Sequence, residues 1–172
     1  MQSDPLGLGG GSNTFAYVGS SALVHIDPLG LDYGFGVDPA GAGGNGHTTL
    51  YFQDKTGKWY SFDQGAAGGT SSGGNLGFLS GSDAAGGVGI KPVDGPPKGT
   101  ALFPSSRDTD ATIANCARIS QEGHRNGSYE YNLYSNNCTD AATNVLSCAG
   151  IDFYNPPFTV RPNSWFKELT GK

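Results

Sequence analysis

What this sequence lacks narrows its reading first. Its ten lysines and arginines are outnumbered by fifteen acidic residues, leaving a net charge of −5, and they are scattered rather than clustered. A protein that grips nucleic acid through its phosphates carries a basic stripe, so no nucleic-acid partner is expected. No run approaches the roughly 18 apolar residues of a membrane span, and no basic amphipathic stretch suggests stable insertion in a membrane. No charged segment followed by an apolar core opens the chain, so export by a general secretory signal is not expected. There are only three cysteines, Cys116, Cys138 and Cys148, and no C-x-x-C pair. They make no zinc set, and at most one disulfide can form, with one thiol left over. The three histidines, His25, His47 and His124, stand isolated, with neither an H-x-E/P-C-x-x-C nor an H-N-H pattern. Metal-dependent nuclease or deaminase chemistry therefore has no visible ligand set, and neither metal nor cofactor is expected.

What is abundant is glycine, 29 residues against 36% hydrophobic ones, so much of the chain must be loop. Residues 32–46 read as an extended lead-in. A hairpin follows, His47–Phe52 and Lys58–Asp63, joined by Asp54-Lys55-Thr56-Gly57: threonines and aromatics suit half-buried pleated positions, and Asp/Gly is turn chemistry. Residues 65–89 hold ten glycines in twenty-five positions and read as a long loop. Asp108–Glu122 reads as a helix capped by Asp108 or Thr109, with Ile113, Cys116, Ala117 and Ser120 on one stripe. Ser128–Tyr134 reads as a strand with Tyr129, Tyr131 and Leu133 on one face. A second helix spans Thr139–Ala149 and ends at Gly150, where a left-handed residue is wanted. After Pro156-Pro157 and Pro162 comes a short helix, Ser164–Leu169. The fold class expected is α+β, a small, mainly antiparallel sheet packed with helices.

One feature is a repeat. Asp4-Pro5-Leu6-Gly7-Leu8 recurs as Asp27-Pro28-Leu29-Gly30-Leu31, with the alternating, strand-like Asn13-Thr14-Phe15-Ala16-Tyr17-Val18 between. A turn preference for Asp and Gly explains one copy but not an identical second. The pair resembles the end of the Rhs/YD-repeat core, where a D-P-x-G-L pair closes a β-cage around a toxin. That resemblance implies two parts: residues 1–31 as a core remnant, and 32–172 as a C-terminal toxin domain. It also implies cleavage at Leu31–Asp32, with Asp27 as the acid and Pro28, Gly30 and Leu31 completing the motif. The remaining acidic partners of that cleavage lie upstream in such cages. The implied partners are the cage and a cognate immunity protein. The implied destination is a neighbouring bacterium: its periplasm if the target is peptidoglycan, otherwise its cytoplasm.

The chemistry is expected at Tyr134-Ser135-Asn136-Asn137-Cys138-Thr139-Asp140. Cys138 opens a helix, where unpaired backbone N–H groups and the positive dipole end favour the thiolate and can hold an oxyanion. His47 is the candidate base, and His124 its rival, expected to be exposed. Folding the hairpin through its turn brings Asp63 and Gln64 towards His47, and one step of register decides which faces it. Asp63 is preferred because a carboxylate orients an imidazole and stabilises its charged form; Gln64 stays open. Asn137 caps the helix or helps bind the oxyanion. Cys148, near the helix end, is expected to be a small buried apolar group. Histidine on an early strand and cysteine later at a helix start resembles the circularly permuted papain-like NlpC/P60 superclass. This implies a cysteine hydrolase acting on an amide, most naturally a peptidoglycan amidase or endopeptidase. Protein deamidation, transglutamination, proteolysis or acyl transfer could use the same thiol, and a nuclease or other non-thiol toxin is the reading from a different class.

Overall fold

The structure, a computed structural model, describes residues 32–65, 88–129, 131–132, 135–153 and 161–171. Both Asp-Pro-Leu-Gly-Leu copies, most of the glycine-rich loop (66–87) and Pro156-Pro157 lie outside the described residues.

Five strands form one antiparallel sheet: β1 (Asp32–Asp38), β2 (His47–Gln53), β3 (Trp59–Gln64), β4 (Val88–Pro92) and β5 (Ala101–Pro104), in the order β4-β3-β2-β1-β5. The expected α+β class is what forms, around more strands than the hairpin alone. The lead-in is not merely extended. Residues 32–38 are β1, paired on both sides, and Gly41–Gly44 makes a single-turn helix, α1. β4 begins inside the stretch read as loop, at Val88.

Strand side chains alternate faces, and the register aligns Phe35 with Leu50, Tyr33 with Phe52 and Leu50 with Phe62. This face is buried beneath two helices, α2 (Arg107–Arg125) and α3 (Cys138–Cys148), which supply Ile113, Ala117, Ala141, Ala142, Val145 and Leu146. A fourth helix, α4 (Pro162–Thr170), starts on proline at its first turn and buries Trp165 edge-on against Phe35, ring centres 4.9 Å apart.

Helix ends differ from expectation in their caps. Ser106, not Asp108 or Thr109, caps α2 by accepting from the Thr109 N–H, so the helix starts a residue earlier and runs on to Arg125. After α3, Gly150 sits at φ +78°, the left-handed backbone expected of it. Ser128–Tyr134 is not a strand over its described residues. Tyr129 N–H instead donates to the Gly123 carbonyl at the end of α2, and Asn132 and Asn136 form an isolated bridge. Tyr129 is exposed while Tyr131 is buried, so they do not share a face.

Cys116 and Cys148 are disulfide-bonded, tying α2 to the far end of α3 across 32 residues. Cys116 is buried on the expected stripe; Cys148 is exposed, correcting its assignment as an apolar core residue. The leftover thiol is Cys138.

Candidate active site

Asn137 sets where α3 begins. Its side-chain oxygen accepts from the N–H groups of Thr139 (2.8 Å) and Asp140 (3.2 Å), and Asp140 accepts in return from the Asn137 N–H at 3.0 Å. This reciprocal cap satisfies helix-end donors from both sides. Asn137 thus commits its oxygen to capping. Cys138 becomes the first residue of α3, with its sulfur turned to β2, where the Thr48 backbone N–H donates to it at 3.4 Å. The neighbouring hydroxyls of Thr48 and Thr139 lie 2.9 Å apart and fasten helix to strand.

The register decides the alternative left open by the sequence. Thr49 pairs with Asp63, so His47, two residues before Thr49, shares its face with Asp63, and Gln64 falls on the other. The His47 Nε2–H donates to Asp63 Oδ1. With Nε2 so engaged, Nδ1 is the nitrogen left to exchange a proton with sulfur. The His47 ring is pushed up to about 10 from its ordinary value. The Asp63 hydrogen bond is the largest cause and a hydrogen bond to Cys138 the second, and the two negative charges add to them; burial acts the other way. At neutral pH the imidazole carries its proton.

Cys138 is only 6% exposed, yet it is not a member of the apolar cluster that fills the domain. The His47 and Asp63 side chains are 25% and 39% exposed, so the imidazole and carboxylate reach solvent while the sulfur is buried. His47, Asp63 and Cys138 therefore converge from two adjacent strands and a helix mouth some 90 residues on.

Gln64 does not face His47. It is 1% exposed on the helix side, its amide nitrogen 3.4 Å from the Asn136 carbonyl, just ahead of the cap. His124, expected in solvent, is 2% exposed; its Nδ1 donates to the Tyr129 carbonyl at 2.8 Å, and burial lowers its pKa. It is a neutral structural histidine bracing the α2–α3 connection, not a rival base.

Sequence reasoning missed Tyr131. The bridge between Asn132 and Asn136 returns the chain so that Tyr131 precedes, and Asn137 follows, the same tight turn. Burial, then the negative charges of Cys138 and Asp140, push this phenol up to about 12, so it keeps its proton throughout the neutral range. It is an O–H donor within electrostatic reach of the sulfur. Its alternation with Tyr129 points only to a strand face, whereas the turn rather than a strand places it.

Among the described residues, no three His, Cys, Asp or Glu side chains converge as a metal set. No family model, curated protein or solved structure matches the chain.

Proposed function

We propose that this protein is a thiol hydrolase that cleaves an amide bond, with Cys138 as nucleophile, His47 as proton carrier and Asp63 as the group that orients the imidazole. The observation that carries this reading is the convergence itself. An imidazole hydrogen-bonded to a carboxylate, with the only free thiol among the described residues held close enough to raise its pKa, is the arrangement that nucleophilic catalysis requires.

The sulfur adds to the amide carbonyl carbon and the proton resides on His47. The carbonyl oxygen gains negative charge, which the Cys138 backbone N–H, the one at the mouth of α3 that the Asn137 cap does not engage, and the Tyr131 hydroxyl are suited to stabilise. His47 then protonates the departing nitrogen, the C–N bond breaks, and a thioester remains. Water, deprotonated by the now neutral His47, attacks the thioester and releases the acid and the thiol. Histidine first on a strand and cysteine later at a helix start also agrees with a permuted papain-like arrangement.

Two further features favour a cell-wall amide as the substrate. The repeated Asp-Pro-Leu-Gly-Leu pentapeptide resembles the end of an Rhs core, which supports a toxin released at Leu31–Asp32 and restrained by an immunity protein. The Cys116–Cys148 disulfide supports work in an oxidising compartment, because such bonds persist outside the reducing cytoplasm. A stem peptide of peptidoglycan is the amide that a periplasmic toxin meets there.

The test is incubation of the full chain with purified cell-wall sacculi, reading new amino termini and soluble fragments by mass spectrometry. The wild-type chain is expected to release stem-peptide fragments, and Cys138→Ala to release at least about 10³-fold less. Equal release by both would end the thiol mechanism. Release by neither, with toxicity retained in the cytoplasm, would end the cell-wall assignment.

A further inference from the structure

The loop that delivers His47 is held from the other end of the chain. Residues 39–46 connect β1 to β2 and fold back on the histidine: a Cβ added at Gly41 would stand 2.5 Å from the His47 Cβ. Within the loop, Ala42 has a φ of +49°, and among the described residues it is the one non-glycine with positive φ. A backbone in that region persists only when its surroundings hold it.

The holding group is Asn163, in the first turn of α4. Its side-chain amide donates two hydrogen bonds, to the carbonyls of Pro39 and Gly44, both at 3.1 Å, and its backbone N–H donates to the Asn45 carbonyl at 3.2 Å. One residue thus ties the start and the end of the loop. Next to it, Gly46 takes φ +99°, and a Cβ there would come within 2.5 Å of the Asn163 oxygen, so the clamp closes on bare backbone one residue before His47. α4 is itself fixed by Trp165 in the core.

We infer that Asn163 is a positioning residue for His47: by clamping the 39–46 loop from α4, it sets the imidazole between Asp63 and the Cys138 sulfur. It touches neither thiol nor carboxylate and acts through the backbone of the loop. This rests on the thiol reading above, and proton exchange across a hydrogen bond is sensitive to displacements of about 1 Å.

The experiment reads alkylation of Cys138 by iodoacetamide in the full chain, from pH 5 to pH 10, with Cys116 and Cys148 left disulfide-bonded. An imidazole in place gives the wild-type chain a plateau of reactivity that extends to the acid side. Asn163→Asp keeps the side chain's size but removes both amide donors. It is expected to lower alkylation at neutral pH about tenfold and to replace the plateau with the simple rise of an unassisted thiol. Gly46→Ala, which forces the clamp open from the loop side, is expected to give the same profile. A purely structural asparagine would lower the unfolding midpoint but leave the plateau in place, and that result in both variants overturns the inference. A wild-type chain without a plateau would instead sink the thiol reading itself, so the two failures are distinguishable.

Discussion

The two ends of the β2–β3 hairpin offer a ligand different things. At the turn end, Phe52, Tyr60, Ile90 and Arg118 line a hollow of about 440 Å³. Its polar centre, Asp54, is occupied in holding the turn, accepting from the Thr56 and Lys58 N–H groups and the Tyr60 hydroxyl. At the other end, roughly 16 Å along β2, His47, Asp63 and Cys138 meet. The turn end has volume with its carboxylate tied up in the turn, and the thiol end has an imidazole, a carboxylate and a thiol brought together. A hollow records where packing failed to fill; a reactive site is recorded by groups whose proton equilibria are bent towards one another. The thiol end is the one to test.

The largest effect that would break this comparison is at Asp63. Asp63→Asn keeps the shape but removes the charge that holds His47 protonated, and amide cleavage is expected to fall on the order of 10² to 10⁴-fold. The pH profile sharpens the point. Because the folded-state value of His47 is raised to about 10, its ion pairing is fully present below the ordinary histidine value and is lost as pH rises through about 10. Activity in the wild-type chain should fade on that alkaline limb, and in Asp63→Asn the limb should move to lower pH. A limb that does not move would separate Asp63 from the imidazole.

Next in size is the disulfide, which serves both ends by joining α2 to α3. Closing a 32-residue interval stabilises the fold by about 3–4 kcal/mol in the chain-entropy description. Urea unfolding with and without dithiothreitol should show a loss of that order. If cleavage falls before global unfolding, the thiol end is the softer of the two.

A smaller effect belongs to His124. Burial depresses its folded pKa below the ordinary value of 6.5, so the stabilisation its neutral form provides is present above pH 6.5 and lost as pH falls. His124→Asn can still donate to the Tyr129 carbonyl and should flatten the acid side of a plot of unfolding free energy against pH. An unchanged acid limb would refute the assignment. The smallest effect is expected at the turn end: Arg118→Ala should leave cleavage within about twofold of the wild-type rate. A large loss there would return function to the hollow.

How far the sequence was readable depends on whether a signal was local. The hairpin was legible because Thr, Tyr, Phe and Trp alternate on both sides of an Asp/Gly turn. β1 obeys the same period, Tyr33, Phe35 and Val37, but Gly34 and Gly36 dilute it. Those glycines are needed by contacts no local window contains: a Cβ at Gly34 would meet the Ala101 carbonyl at 2.2 Å, and one at Gly36 the Tyr51 ring at 2.8 Å. The apparent strand at 128–134 failed for the converse reason. Its aromatic alternation was genuine, but the backbone hydrogen bonds go to the end of α2 and into a tight turn. At the site, Cys138 and His47 were visible from residue type and element boundary. Tyr131 and Asn163 were not, since neither lies in a motif and each acts through a fold-back that only packing creates.

By itself, the chain determined local things: a helix start at Asn137-Cys138, a hairpin ending in Asp63-Gln64, an odd thiol among three cysteines, and a repeated pentapeptide. These follow from propensity, capping and turn chemistry, which act over a few residues. Tertiary structure decided that Asp63 rather than Gln64 meets His47, that Cys148 is half of a disulfide and that His124 is buried. Strand register, helix docking and the pairing of Cys116 with Cys148 couple residues tens of positions apart, and no short window of sequence carries that coupling.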